Sequence, residues 1–360
     1  MGKNESQHSG LIWWAWASLI LLVGIYSYAL IDPNLTLINL PAWTAFRNVM
    51  VQLGYHNGKM SLVLYIVAII IMLVVALRIR RNEIDPSPKY VLICGLILLT
   101  SYPFLSHDLF NYIFDAKIFT VYHQNPYLMK ANDYPQDLMV RFMHWTHRTY
   151  PYGPTFLPIT ILVSFIGAGK FLLTYLLMKL LFVAIFIITY LRLQKHNKAI
   201  ALAFFTSPLV IIEGLINVHN DFLAIAFVLL SWSLTSIGPK VLLILLSGGI
   251  KYFTIPFALS IVKTHYRQHL MDVTFLLITV LTGLAIYLNG AHVWYLLNFT
   301  PFLIFYPPLL SLVIECIALL AYSPYILLSG WNGPGRVAYH DAFFLCCLCR
   351  NRNNLLSITK

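Results

Sequence analysis

Apolar runs of about 18 residues or more recur along this chain, each long enough to cross a hydrocarbon core as a helix. A soluble core could not bury so many of them. Of 360 residues, 59% are hydrophobic and only 10% charged, a balance outside that of soluble globular domains. The pattern predicts an all-α polytopic membrane protein, a bundle of about 9–11 membrane helices in one transmembrane domain over 1–330. A tail, 331–360, is expected on the cytoplasmic side. The first run, 11–31, carries no small-residue cleavage pattern and is read as a retained span.

The formal net charge of +11 would suit a nucleic-acid partner, but the cations gather in short loops between spans. The positive-inside rule accounts for that placement, and membrane lipids rather than nucleic acid are the expected surroundings. Arg78, Arg80, Arg81 and Lys89 mark 78–89 as cytoplasmic, as do Arg192, Lys195 and Lys198 for 192–198 and Lys263 and Arg267 for 263–269. The tail adds Arg336, Arg350 and Arg352. Spans are expected near 60–77, 90–105, 170–191, 199–215, 221–237, 270–289 and 302–328. A shorter piece covers 154–168, and 240–262 is broken near Lys251. The outward segments are then 32–59, 104–152, 213–220 and 290–300. Trp13, Trp14 and Trp16 read as an interfacial belt. Of five cysteines, Cys94 and Cys316 fall in apolar runs, while Cys346, Cys347 and Cys349 crowd the tail. That is no disulfide framework; the tail set reads as apolar filler, with a cytoplasmic palmitoylation or thiol site as the alternative.

Chemistry concentrates in 105–154. Asp108 follows an apolar run directly, and a carboxylate at that depth is costly unless solvated or used. Asp115 lies seven residues on, so on a helix both acids share one face, with Asn111 and Tyr112 on or beside it. Such a face suits removal of a proton from an acceptor hydroxyl; the plainer alternative is a pair of solvated loop acids. Leu109, Phe110, Ile113, Phe114 and Phe119 would dip toward apolar surroundings, as on a helix lying along the surface. Asn125-Pro126-Tyr127 and Tyr150-Pro151-Tyr152-Gly153-Pro154 are rigid aromatic turns, suited to stacking on sugars or to an interfacial belt.

A second cluster, Glu213, Asn217, His219, Asn220 and Asp221, stands between two apolar runs. It could hold sugar hydroxyls or a divalent metal, or simply cap the following helix in water. Lys251 sits in an apolar segment after Gly248 and Gly249, where an ammonium needs an anion: a phosphate, Asp221 or Glu213. Lys179 is a weaker candidate of the same kind, free to snorkel. Glu315 is an intramembrane acid without an assigned partner.

Five stretches together resemble the integral-membrane glycosyltransferases of the GT-C class, in particular the polyprenyl-phosphate-mannose-dependent mannosyltransferases. They are SHDLFNYIFDAK at 106–117, NPY at 125–127, YPYGP at 150–154, SPLVIIEGLINVHND at 207–221 and GGIKYFTIPFAL at 248–259. Each is short, but all five stand in the family's order. The resemblance implies a multi-pass protein of the plasma (inner) membrane, with 104–152 as its catalytic loop on the non-cytoplasmic side. It implies transfer of a hexose, typically mannose, from a polyprenyl-phosphate donor to a glycan or lipid acceptor. Asp108 would be the general base of a single inverting displacement. Lys251 and His219 would stabilise the leaving phosphate. Asp115, Asn111, Tyr112, Asn125, Tyr127, Tyr150, Tyr152, Glu213, Asn220 and Asp221 would bind substrates; no metal is assigned. One departure is visible: many relatives carry an Arg near the base, and here the neighbours are His107 and Asn111.

Two other classes would use similar residues. A flippase or transporter of lipid-linked sugars would also want Lys251, Glu213 and Glu315 around a broken helix, and a non-catalytic subunit would keep the fold with a partner supplying the chemistry.

Overall fold

The computed structural model describes residues 3–262 and 264–328; the tail with its cysteines and arginines lies outside them, as does Lys263. The described residues are 74% helical and form no strand, which settles the all-α class. In order come α1 (Lys3–Tyr26), α2 (Pro41–Val51), α3 (Gly58–Arg81), α4 (Pro88–Thr100) and α5 (Asp108–Thr120). Then follow α6 (Phe156–Ile166), α7 (Phe171–Gln194), α8 (Lys198–Phe205), α9 (Asn220–Trp232) and α10 (Ile237–Ile250). The rest are α11 (Arg267–Asn289), α12 (Thr300–Leu303), α13 (Pro308–Leu320) and α14 (Ser323–Leu327).

Among the described residues, five helical stretches are long and apolar enough to span a membrane: Gly10–Leu30, Gly58–Arg81, Phe171–Gln194, Arg267–Asn289 and Pro308–Leu327. A sixth span is counted if α8 and the π-helical turn Val210–Ile216, bent by 61° at their junction, act as one. The remaining apolar helices are shorter, α4 and α9 at 13 residues each. Helices of that length reach about 20 Å, short of a hydrocarbon core of about 30 Å. Short and bent helices survive at that depth where protein surrounds them, and α9 is buried along nearly its whole length. It packs between α7 and α10, while α1 packs on α3 and α4, and α4 on α7.

The break expected near Lys251 is present. α10 ends at Ile250, Lys251 is extended, and a 3-10 helix, Tyr252–Ile261, continues the run with Pro256 inside it. The Tyr-Pro-Tyr-Gly-Pro turn docks on that break through two glycines. The Thr155 amide donates to the Gly249 carbonyl at 2.9 Å. A Cβ on Gly153 would stand 2.1 Å from the Gly249 oxygen, and one on Gly249 would stand 2.0 Å from Thr155 Oγ1. Only bare backbone permits this approach.

Several side chains depart from the sequence reading. Trp13 and Trp16 are not an interfacial belt: they are buried, Trp13 packing on Tyr90 and Phe205, and only Trp14 is exposed. Arg80 is not a free loop cation. It is buried at the end of α3, 3.6 Å from Glu315, and donates to Thr206 Oγ1, Ser311 Oγ and the Ala203 carbonyl. Glu315 thereby gains its missing partner, and it also accepts from Ser207 and the Leu209 amide. Lys179 neither snorkels nor faces a phosphate. It is fully buried, with Nζ donating to Ser101 Oγ and to the Leu215 and Ile216 carbonyls at the end of the π-helical turn.

Candidate active site

Helix α5 opens the site. Its N-cap is His107, so Asp108 stands in the first turn, where the exposed amides and the helix dipole favour a carboxylate. The helix does not lie along a surface: Leu109 to Ala116 and Ile118 are all buried, and only Phe119 of the expected apolar set is exposed. The segment that follows α5 covers it. Asn111 Nδ2 donates to the Trp145 carbonyl at 3.3 Å, and His107 Nδ1 meets the Phe142 carbonyl at 3.0 Å. The solvated-acid alternative therefore fails for both acids. Asp115 is 4% exposed, and the Asp108 side chain keeps 14%.

The second cluster comes from the π-helical turn Val210–Ile216 and the start of α9. A π turn is a costly local conformation that recurs at functional sites. Here it places Glu213 and Gly214 against the next helix, with no room for a Cβ on Gly214 beside the Phe222 ring. Val218 then takes φ +60°, an outlier for a β-branched residue. That turn sets His219 between two carboxylates: Nδ1 is 3.6 Å from Asp108 Oδ2 and Nε2 is 3.2 Å from Glu213 Oε2. The Trp294 ring stacks on the imidazole at 4.4 Å. Asn217 bonds Glu213 through Nδ2 and receives the Leu105 amide on Oδ1. Both ring nitrogens of His219 thus face carboxylates. The helix-capping alternative does not fit, since Glu213, His219, Asn220 and Asp221 are each at most 1% exposed.

Lys251 closes the site from the helix break. Its Nζ lies 2.9 Å from Asp221 Oδ2, and the ammonium side chain keeps 21% exposure. Asn298 donates to the other oxygen of Asp221 at 3.1 Å. Among the acids Asp108, Asp115, Glu213 and Asp221, Asp108 is the most open, and the charge of the partly open cation Lys251 reaches it.

Electrostatics separate the two acids of α5. Burial works against the Asp108 carboxylate, but His219 beside it, with Lys251 and Arg148 further off, outweighs burial and holds its pKa below the usual value. Burial pushes Asp115 well above the carboxylate range, and the Asp108 charge adds to this. Burial pulls His219 down, yet contact with Asp108 and Glu213 wins and raises it to about 9.

The aromatic turns form a continuous wall. Tyr127, Tyr150, Tyr152 and Tyr112 meet edge to face in sequence, at 5.2, 5.3 and 4.8 Å. The Tyr112 hydroxyl accepts from the Asn220 amide at 3.2 Å, tying this wall to the second cluster. Asn125 has a local role: its Oδ1 accepts from the Tyr127 amide at 2.9 Å, forming an exposed turn. Three residues escaped the sequence reading. Trp294 and Asn298 lie in 290–300, which the sequence marks only as an outward segment. Arg148 supplies through space the cation absent beside Asp108 in sequence. It stacks over Trp145 at 3.8 Å, and its charge reaches Asp108, Asp115 and Tyr152. Its signal was the basic-aromatic stretch HWTHR at 144–148.

A separate apolar cavity of about 590 Å³ beside Trp232, Arg267 and Phe305 shares no residue with this cluster.

A family model described as alpha-(1->6)-mannopyranosyltransferase, N-terminal domain, matches residues 14–267. The match contains Asp108, Arg148, the 207–221 cluster and Lys251, but not Trp294 or Asn298. None of the curated proteins or solved structures compared with the chain matches it. The match sets the transport and non-catalytic readings aside, since the family is one of enzymes. The chain belongs to the alpha-(1->6)-mannopyranosyltransferase family, and is a multi-pass membrane mannosyltransferase of the GT-C class.

Proposed function

We propose that this enzyme moves mannose from a polyprenyl-phosphate donor to a hydroxyl of a glycan or lipid acceptor, on the non-cytoplasmic side, with inversion at the anomeric carbon. The observation that carries this reading is a partly open carboxylate, Asp108, within reach of the charge of a partly open cation, Lys251, while Glu213 and Asp221 beside them are sealed. A base and a phosphate ligand are the two groups such a displacement needs. The acceptor O–H gives its proton to Asp108 as its oxygen bonds to the anomeric carbon. The bond from that carbon to the phosphate oxygen breaks, and the lipid phosphate leaves with the electron pair. Negative charge grows on that oxygen, where Lys251 and Arg148 stabilise it. His219, held by Glu213 and Trp294, fixes the Asp108 carboxylate.

Asp115, Asn111, Asn220 and the Tyr112–Tyr150–Tyr152 wall offer polar groups and ring faces to the donor sugar and the acceptor. Asn125 and Tyr127 shape the outer rim of that wall. The α linkage in the family's description, if formed with inversion, requires a β-configured donor. The side assignment rests on the basic turn after α3: α4 runs from that turn toward Asp108.

The test is a donor comparison in sealed membrane vesicles of either orientation. Label is expected to move from polyprenyl-phosphate mannose and not from nucleotide-linked mannose, and to reach an impermeant acceptor only at the non-cytoplasmic face. Transfer from the nucleotide alone would sink the donor assignment. Transfer to acceptor at the opposite face would sink the side.

A further inference from the structure

Next to the candidate active site, and outside its polar cluster, Asp32, His107 and His144 come together. One ligand atom from each lies within 4.8 Å of the others. They arise from three separate segments: the stretch after α1, the N-cap of α5, and the covering segment before Arg148. We propose that these residues form a binding site for a divalent first-row transition ion of the zinc type, clasping the covering segment to the first long loop beside Asp108.

Two imidazoles and a carboxylate are a donor set that suits such ions, and three protein ligands leave a position for water or a ligand oxygen. The second observation is how His107 is held. Its ring is buried, and Nδ1 is engaged by the Phe142 carbonyl at 3.0 Å. A carbonyl there requires the proton on Nδ1, which leaves the Nε2 lone pair free to bind a metal; this is the usual outer-shell support of a histidine ligand. The carboxylate is oriented too. Asp32 Oδ1 accepts from the Asn34 amide at 2.7 Å, and its own amide donates to Tyr102 Oη at 3.2 Å.

His144 stacks on His107 with centroids 3.6 Å apart and planes 11° from parallel. Parallel rings cannot both aim lone pairs at one ion, so binding requires His144 to turn; being exposed, it is free to do so. The two loops already touch at one further point, where Asn34 Nδ2 donates to the Arg141 carbonyl at 3.5 Å. An ion would convert that light contact into a firm one.

The probe is Co²⁺ added to the metal-stripped, detergent-solubilised full chain, read by visible absorption and displaced by Zn²⁺. The wild type is expected to show a d–d band saturating at one equivalent. His144→Ala and Asp32→Asn should bind at least 10-fold more weakly, and His147→Ala, on the same segment, should bind normally. His144→Cys keeps a ligand and should gain a sulfur-to-cobalt charge-transfer band, which a misfolded protein would not give. No band in the wild type, an unchanged band in His144→Ala, or loss of the band in His147→Ala would each overturn the site. The readout does not depend on glycosyl transfer.

Discussion

The Asp108 carboxylate and the His219 imidazole lie 3.6 Å apart, although more than a third of the family-matched sequence separates them. His219 also faces Glu213 at 3.2 Å, so one ring answers two acids. This contact accounts for the raised pKa of His219, about 9, and ties transfer to its protonation. Because the folded value exceeds the ordinary one, the pairing stabilises the fold fully below about pH 6.5, and the gain is lost as pH rises through about 9. The expected outcome is an alkaline limb in the transfer rate near pH 9, moved in His219→Gln, which carries no titrating ring. A wild-type limb that stays in place in His219→Gln would contradict the pairing.

Lys251 has two partners to serve, Asp221 in the resting protein and the phosphate in the reaction. Lys251→Ala should lower the transfer rate by about 10²–10³, the range for removing one anion-stabilising donor. It should also destabilise the fold by leaving Asp221 with Asn298 alone. The double variant Lys251→Ala/Asp221→Ala should recover melting temperature without recovering transfer. Recovery of both would reduce Lys251 to a structural ion-pair partner.

Gly153 is where the aromatic wall meets the helix break. Gly153→Ala forces the Gly249 carbonyl to move and should cost about 1–3 kcal/mol, with a fall in transfer because Lys251 moves too. Gly238→Ala, where no atom lies within 4 Å of the added methyl, should be neutral or stabilising by up to about 1 kcal/mol. Thermal melting of the two variants in detergent separates these outcomes.

Sequence and structure agree best where a residue's role follows from its own neighbours. The apolar runs, the break after Gly248-Gly249 and the placement of Asp108 just past an apolar run were all legible. So was the Glu213–Asp221 cluster, because polar residues between apolar runs need a reason to be there. What escaped depended on contacts between distant segments. Arg148 gains its place only through the covering segment folded over α5. Trp294 and Asn298 acquire meaning only from His219 and Asp221. Trp13 and Trp16 read as a belt because position in sequence does not say which face of α1 meets α4. Lys179 and Glu315 were visible as anomalies, but their partners, backbone carbonyls and Arg80, could not be read from spacing.

The Arg80–Glu315 pair gives a prediction away from the site. Arg80→Met leaves a buried carboxylate unpaired and should cost about 3–5 kcal/mol. Arg80→Met/Glu315→Met should be more stable than the single variant. Equal melting temperatures of the two would show that the pair is not coupled.

Asp108 carries the central claim, and the direct measurement is transfer of labelled mannose from polyprenyl-phosphate mannose by wild type and Asp108→Asn at matched membrane levels. The amide keeps the shape and loses the base. Transfer should fall at least about 100-fold while insertion and melting stay close to wild type. Equal transfer by both proteins would contradict Asp108 as the base.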